Sequence, residues 1–176
     1  MTAPPPQLPH HSAGTPHDQR QELALAALGQ ASAEDALRQS EERLRMALDA
    51  GQVGIWDWDI SADRVTWSER IYALHDMVPG SFGGRIEDFG LLIHPDDVER
   101  VMATLDRTLR LGEPYAAEYR FRRADGSVRW LATQGYVSRD AQGQPIRMVG
   151  AASDVTERVG LLAAERSARQ AAEAAR

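Results

Sequence analysis

Hydrophobic and polar positions alternate most clearly between Glu118 and Trp130, EYRFRRADGSVRW. Tyr119 and Phe121 take every second place among Glu118, Arg120 and Arg122, the period of a strand with one buried face. Asp125-Gly126 offers the positive-φ pair of a tight hairpin turn. The chain returns through Ser127 to Val137, rich in β formers, turns again at Asp140-Ala141-Gln142-Gly143, and gives a third strand from Ile146 to Ala152. Three antiparallel strands in succession form a meander. Upstream, Gly54 to Ile60 repeats the pattern, with Trp56, Trp58 and Ile60 on one side and Ile55, Asp57 and Asp59 on the other. A turn at Ser61-Ala62-Asp63 separates it from a strand over Arg64 to Trp67.

Other stretches follow the helical period. From Gln19 to Ala50, Leu23, Leu25, Leu28, Leu37, Leu44 and Leu48 recur in a background of Ala, Glu, Gln and Arg. Gly29 and Ser32 predict a break, with Ser32 capping a second helix from Ala33. Ser68 opens a short helix bearing Ile71, Tyr72, Leu74 and Met77, at whose end His75 reads as a surface residue beside Asp76. Ile86 to Leu92 predicts another short helix. His94-Pro95-Asp96-Asp97 reads as a helix start, with proline in the first turn and carboxylates at the positive end of the dipole. That helix runs to Leu111-Gly112, with Val98, Val101, Met102, Leu105 and Leu109 on its core face. At the far end Asp154, three before Glu157, fits a capping box. The helix it opens, Val155 to Arg176, carries Leu161, Ala164, Ala168, Ala171 and Ala175 on one seam. Residues 1–18, rich in Pro, His and Ser and without periodicity, read as a disordered tail.

Four phrases occur in a fixed order: Gly54-Ile55-Trp56-Asp57-Trp58-Asp59, then Val65-Thr66-Trp67-Ser68-Glu69, then His94-Pro95-Asp96-Asp97, then EYRFRRADGSVRW with Gly150 and the exit Asp154-Val155-Thr156-Glu157-Arg158. Over residues 41–158 this resembles a PAS domain of the PAS fold-3 type with its C-terminal PAC motif, and in particular the N-terminal sensor module of a bacterial sensor histidine kinase. The resemblance implies an α+β fold: a five-stranded antiparallel sheet with short helices on one face, flanked by N- and C-terminal signalling helices. The expected organisation is a tail over 1–18, a helical segment over 19–50, the PAS domain over 51–155 and a signalling helix over 156–176, leading to an output domain that this chain does not contain.

Composition narrows the chemistry. The chain has 176 residues, no cysteine and a net charge of −6. Lack of cysteine removes disulfides, thiolate catalysis and Cys-ligated metal sites. The acidic balance and the want of a basic stripe argue against nucleic acid. No apolar run is long enough to span a bilayer, and the first residues lack the basic start and apolar core of a secretory signal; the cytoplasm is expected. His10-His11 form no fixed metal site, and Asp57 and Asp59, without a companion histidine, read as solvent-facing rather than catalytic. No enzyme activity is expected of this chain.

Strand parity combined with the resemblance sets Trp56, Trp58, Tyr119, Phe121, Leu131, Thr133, Met148, Gly150 and Ala152 on the inner face, around the place where a PAS domain holds small molecules. The opposite parity (Ile55, Trp130, Ala132, Val149, Ala151) faces a flanking helix or a dimer partner. A flavin-binding PAS domain needs a reactive cysteine for its photoadduct and amides on these strands; here the corresponding positions look like Phe121, Leu131 and Ala152. The photoadduct is therefore excluded. Haem would need His94 as axial ligand, but His-Pro-Asp-Asp is a helix-start phrase in this subfamily. The inner list has few polar groups, so a pocket filled by the tryptophans is weighed above a small, mostly apolar ligand. Asp154 and Thr156 are expected to form the joint that passes a conformational signal to a helix pair in a homodimer. The alternatives are a ligand-free dimerisation module, or the sensor of a diguanylate cyclase.

Overall fold

The structure, a computed structural model, describes residues 16–123 and 125–175, with side chains from Arg20 onward. The tail expected over 1–18 lies outside the described residues except at its end, where helix is already present. The chain divides between residues 47 and 48 into two units. The first is the helix α1 (Pro16–Ala50), whose last three residues belong to the second unit.

α1 is continuous, so the break expected at Gly29 and Ser32 does not occur. One glycine costs a helix about 1 kcal/mol relative to alanine, little against its strong helix-forming neighbours. Side chains also stitch the region together: Gln30 Nε2 donates to Glu34 Oε1 at 3.0 Å and Arg38 pairs with Asp35 at 2.9 Å. Leu23, Leu25, Leu28, Leu37 and Leu44 are all exposed.

The second unit is a five-stranded antiparallel sheet in the order β2-β1-β5-β4-β3, with β1 Gly54–Asp59, β2 Arg64–Trp67, β3 Tyr115–Arg122, β4 Val128–Arg139 and β5 Pro145–Asp154. Between β2 and β3 come α2 (Glu69–Leu74), α3 (Ile86–Leu92) and α4 (Pro95–Leu111). α5 (Thr156–Ala174) follows β5 directly. β3 starts at Tyr115, earlier than the alternation around Tyr119 suggests, because Ala116 and Ala117 carry little period-2 contrast. Among the described residues of the β3–β4 turn, only Gly126 is seen with positive φ (84°). Asp125 acts through its carboxylate, which accepts from Ser127 N at 2.8 Å. The turn thus sets a positive-φ glycine beside an Asx turn.

The inner-face parity holds: Trp58, Tyr119, Phe121, Leu131, Thr133, Met148, Gly150 and Ala152 are buried. Val101 and Leu105 of α4 pack into the same core. The N-terminus of α4 is tied down by charge. Asp97, 6% exposed, accepts from Arg120 N at 2.9 Å and from both Nε and Nη2 of Arg120 at 3.0 and 2.9 Å. These hydrogen bonds hold the Asp97 carboxyl down at about 2, below its ordinary 3.8. His94 caps this helix, Nδ1 accepting from Asp96 N, and Gly112 ends it at φ 74°.

Candidate functional site

A cavity of about 40 Å³ lies between the inner face of the sheet and the helices. Six of the expected residues line it: Trp56, Trp58, Tyr119, Thr133, Met148 and Ala152. Phe121 and Leu131 are buried in the adjoining core but are not part of the wall. His94 is not in the wall either; its imidazole lies between Asp96 N and the Arg122 guanidinium. Sequence reasoning missed the rest of the wall: Val65 and Trp67 of β2, Ile71 and His75 at α2, Ile86 and Phe89 of α3, Leu105 of α4 and Tyr115 of β3. Tyr115 shares the inward parity of Tyr119, so extending the alternation back through the alanines would have found it. A space of this size holds no more than a few water molecules.

Trp56 explains why so little room is left. Its β5 partner is Gly150, whose β4 partner is Gly135. The indole lies over both glycines: a Cβ on Gly135 would come within 2.6 Å of Trp56 Cη2, and one on Gly150 would overlap Trp56 Cζ2 and the Gln134 carbonyl oxygen. Trp56 Nε1–H donates to Thr133 Oγ1 at 2.9 Å, and the ring meets Tyr115 edge-on at 5.9 Å. Trp58 is buried with its N–H donated to Asp63 Oδ1 at 3.2 Å. Asp63 also pairs with Arg85 at 3.1 Å, which ties the β1–β2 turn to the start of α3.

His75 corrects the surface reading: it is 2% exposed. Its ring stacks on Trp67, which in turn stacks on Phe82 at 3.8 Å. Nδ1 lies 2.9 Å from the Ile71 carbonyl, which only accepts, so Nδ1 carries the proton. Nε2 then accepts from the Tyr119 hydroxyl at 3.1 Å. Burial pushes the imidazole below its ordinary 6.5 and holds it neutral. The same cause raises the Tyr119 phenol, and raises that of Tyr115 to about 12, so both stay protonated. The histidine looked exposed in the sequence because Trp67, Tyr119 and Phe121, which enclose it, come from other elements.

Asp76, next in the chain, stands at φ 52° and faces two arginines. Arg123 Nε is 2.8 Å from Asp76 Oδ2, an ion pair although that N–H makes no hydrogen bond. Arg129 Nη2 is 3.4 Å from Asp76 Oδ1. Arg129 also donates to the carbonyls of Ala73 and Leu74 at 3.2 and 2.8 Å, and its Nε lies 3.2 Å from Asp154 Oδ2. One guanidinium, 15% exposed, therefore joins the end of α2 to the start of α5. The signal for it was parity: Arg129 is paired with Phe121 and points inward, an unusual place for an arginine without partners.

At the joint, Asp154 Oδ1 accepts from Thr156 N at 2.8 Å. The reciprocal bond expected from Glu157 is not formed: the residue preceding the helix is Val155, whose side chain caps nothing, and the other Asp154 oxygen faces Arg129 Nε. Thr156 Oγ1 accepts from Trp130 N at 2.9 Å and Val155 N donates to Trp130 O at 2.9 Å, bolting α5 to β4.

Comparison with known proteins places this architecture. The family model described as PAS fold matches residues 64–152. A crystal structure of a sensory box histidine kinase/response regulator from Burkholderia thailandensis is 30% identical, with a TM-score of 0.65 over 74% of this chain and 98% of that one. The N-terminal domain of a diguanylate cyclase with PAS/PAC sensor from Marinobacter aquaeolei shares the fold at 24% identity, with a TM-score of 0.56 over 60% of this chain and 97% of that one. A probable diguanylate cyclase of Escherichia coli is 24% identical over 70% of this chain and 11% of its own length. The chain spans between 11% and 15% of the first curated relatives it matches. With the family model covering half of its residues and the five-stranded sheet in place, this chain belongs to the PAS fold family of sensory domains.

Proposed function

We propose that this chain is the sensory module of a larger bacterial signalling protein, taking up a signal at the sheet and cavity and passing it to α5, and that the output it controls is a histidine kinase. The observation that carries the reading is the Arg129 bridge, which ties the cavity wall at α2 to Asp154 at the foot of α5. A shift of the His75 turn changes the carbonyls and the carboxylate that Arg129 holds, and with them the cap of α5. The mechanism is a bias between two arrangements of the helix, not chemistry. No catalytic role is assigned to any residue, and neither flavin nor haem is invoked.

The protein is proposed to work in the cytoplasm as a homodimer through its flanking helices; the exposed leucines of α1, with Leu161 and Leu162 of α5, support a partner helix. No described helix is long and apolar enough to cross a membrane. The histidine-kinase output draws on the 30% identical Burkholderia domain. A second output, cyclic dinucleotide synthesis, draws on the two diguanylate cyclase relatives.

Arg129→Gln and Asp154→Ala in the full-length parent protein test this reading. Each is expected to shift basal output by about 5-fold or more in the same direction, while circular dichroism shows an intact fold. Autophosphorylation and cyclic dinucleotide synthesis, assayed side by side, identify the output. Unchanged output in both folded variants contradicts the relay.

A further inference from the structure

We propose that the inner face of the sheet carries a site for one flat N–H heteroaromatic ring, the indole class, which Trp56 occupies from within the chain. This deepens the functional reading above and rests on the cavity being where the signal is taken up. The floor is built for a flat ring. Gly135 and Gly150 are paired across β4 and β5, and side chains at these positions would intrude on the indole. The polar contact is of fixed polarity. The Thr133 hydroxyl donates its proton to the Ala151 carbonyl at 3.2 Å, leaving a lone pair for the Trp56 N–H at 2.9 Å. A ring without that N–H leaves this buried acceptor unmatched. The wall supplies the edge of Tyr115, set at 89° to the indole plane.

Trp56 is only partly buried, whereas Met148 and Tyr119 are fully enclosed, so one side of its ring is reached from outside the core. The free space of about 40 Å³ borders the same ring. When Trp56 turns out, its slot joins that space, and a free molecule of the indole class meets the glycine floor, the Thr133 acceptor and the Tyr115 edge. With Trp56 in place the site is closed, so the apparent affinity of the unmodified protein falls by the fraction of time it is open.

Calorimetric titration of indole and 1-methylindole into the wild-type protein and Trp56→Gly tests this. Trp56→Gly is expected to bind indole about ten-fold or more tightly than wild type does, and 1-methylindole about ten-fold or more weakly than indole. Equal indole affinity in the two proteins overturns the site, and equal binding of the two rings overturns the Thr133 contact. Because Trp56→Gly leaves a large void, its melting is also followed with and without millimolar indole, against Val101→Ala, a void elsewhere in the core. Indole is expected to raise the melting temperature of Trp56→Gly, or to restore its fold, and to leave that of Val101→Ala unchanged. A Trp56→Gly protein that indole neither stabilises nor folds overturns the proposal. The relay through Arg129 is tested with Trp56 in place, so either idea can fail without the other.

Discussion

Gly150 and His75 show how single residues set the interior. Gly150 has ordinary backbone angles; its lack of a side chain is needed because Trp56 and the Gln134 carbonyl lie where a Cβ would be. Gly150→Ala is therefore expected to destabilise the domain by about 1 to 3 kcal/mol in urea denaturation, the usual cost of overpacking. His75 is neutral in the fold, its protonation depressed first by burial. Below about 6.5 the unfolded chain takes up a proton that the folded histidine refuses, so stability falls as pH drops through that range. His75→Gln should remove this component, leaving a flatter profile as the pH falls below about 6.5. Asp97 acts in a lower window: its carboxyl, held at about 2, contributes stability above its ordinary 3.8 that is lost as the pH falls towards 2. Strand parity made the tryptophans and Tyr119 legible in the sequence. It left His75 illegible, because burial of a helix-end histidine depends on aromatic rings distant along the chain.

Among the elements, the strands and the short helices read well from periodicity, and α4 from its proline, carboxylates and terminal glycine. Two misreadings share a cause. Gly29 and Ser32 looked like a break, and Asp154 with Glu157 looked like a closed capping box, because local signals were judged without their competitors. In α1 the flanking helix formers prevail; at α5 the Asp154 carboxylate accepts from Thr156 N and faces Arg129, and the helix begins one residue later than the box requires. The attachment of α5 then rests on Thr156, whose hydroxyl satisfies Trp130 N. Thr156→Val should cost about 1 to 2 kcal/mol and fray the first turn of α5, seen as faster amide exchange there. Asp97→Ala removes the hydrogen bonds from Arg120, leaving its guanidinium with Asp96 at 3.4 Å and the Trp130 ring at 5.7 Å. It should cost about 2 to 4 kcal/mol by denaturant melts, with the loosening centred on the start of α4.

Taken as a whole, the molecule joins a nearly filled aromatic interior to an exit helix through a few charged groups. The fold and the inner face were accessible from alternation and turn residues, since these follow from local backbone geometry. The Arg129 bridge was not, since Arg129 acquires its partners only when α2 and β5 are brought to it. Hydrogen exchange in the full chain tests the coupling most directly, comparing wild type, Tyr119→Phe, Arg129→Gln and the double variant. Tyr119→Phe removes the hydroxyl held by His75 and touches nothing in α5. The relay predicts changed exchange both at Leu74–Asp76 and in the first turn of α5, with the α5 effect of Tyr119→Phe vanishing when Arg129 is already Gln. Exchange in α5 that does not respond to Tyr119→Phe, or that responds equally without Arg129, would contradict it.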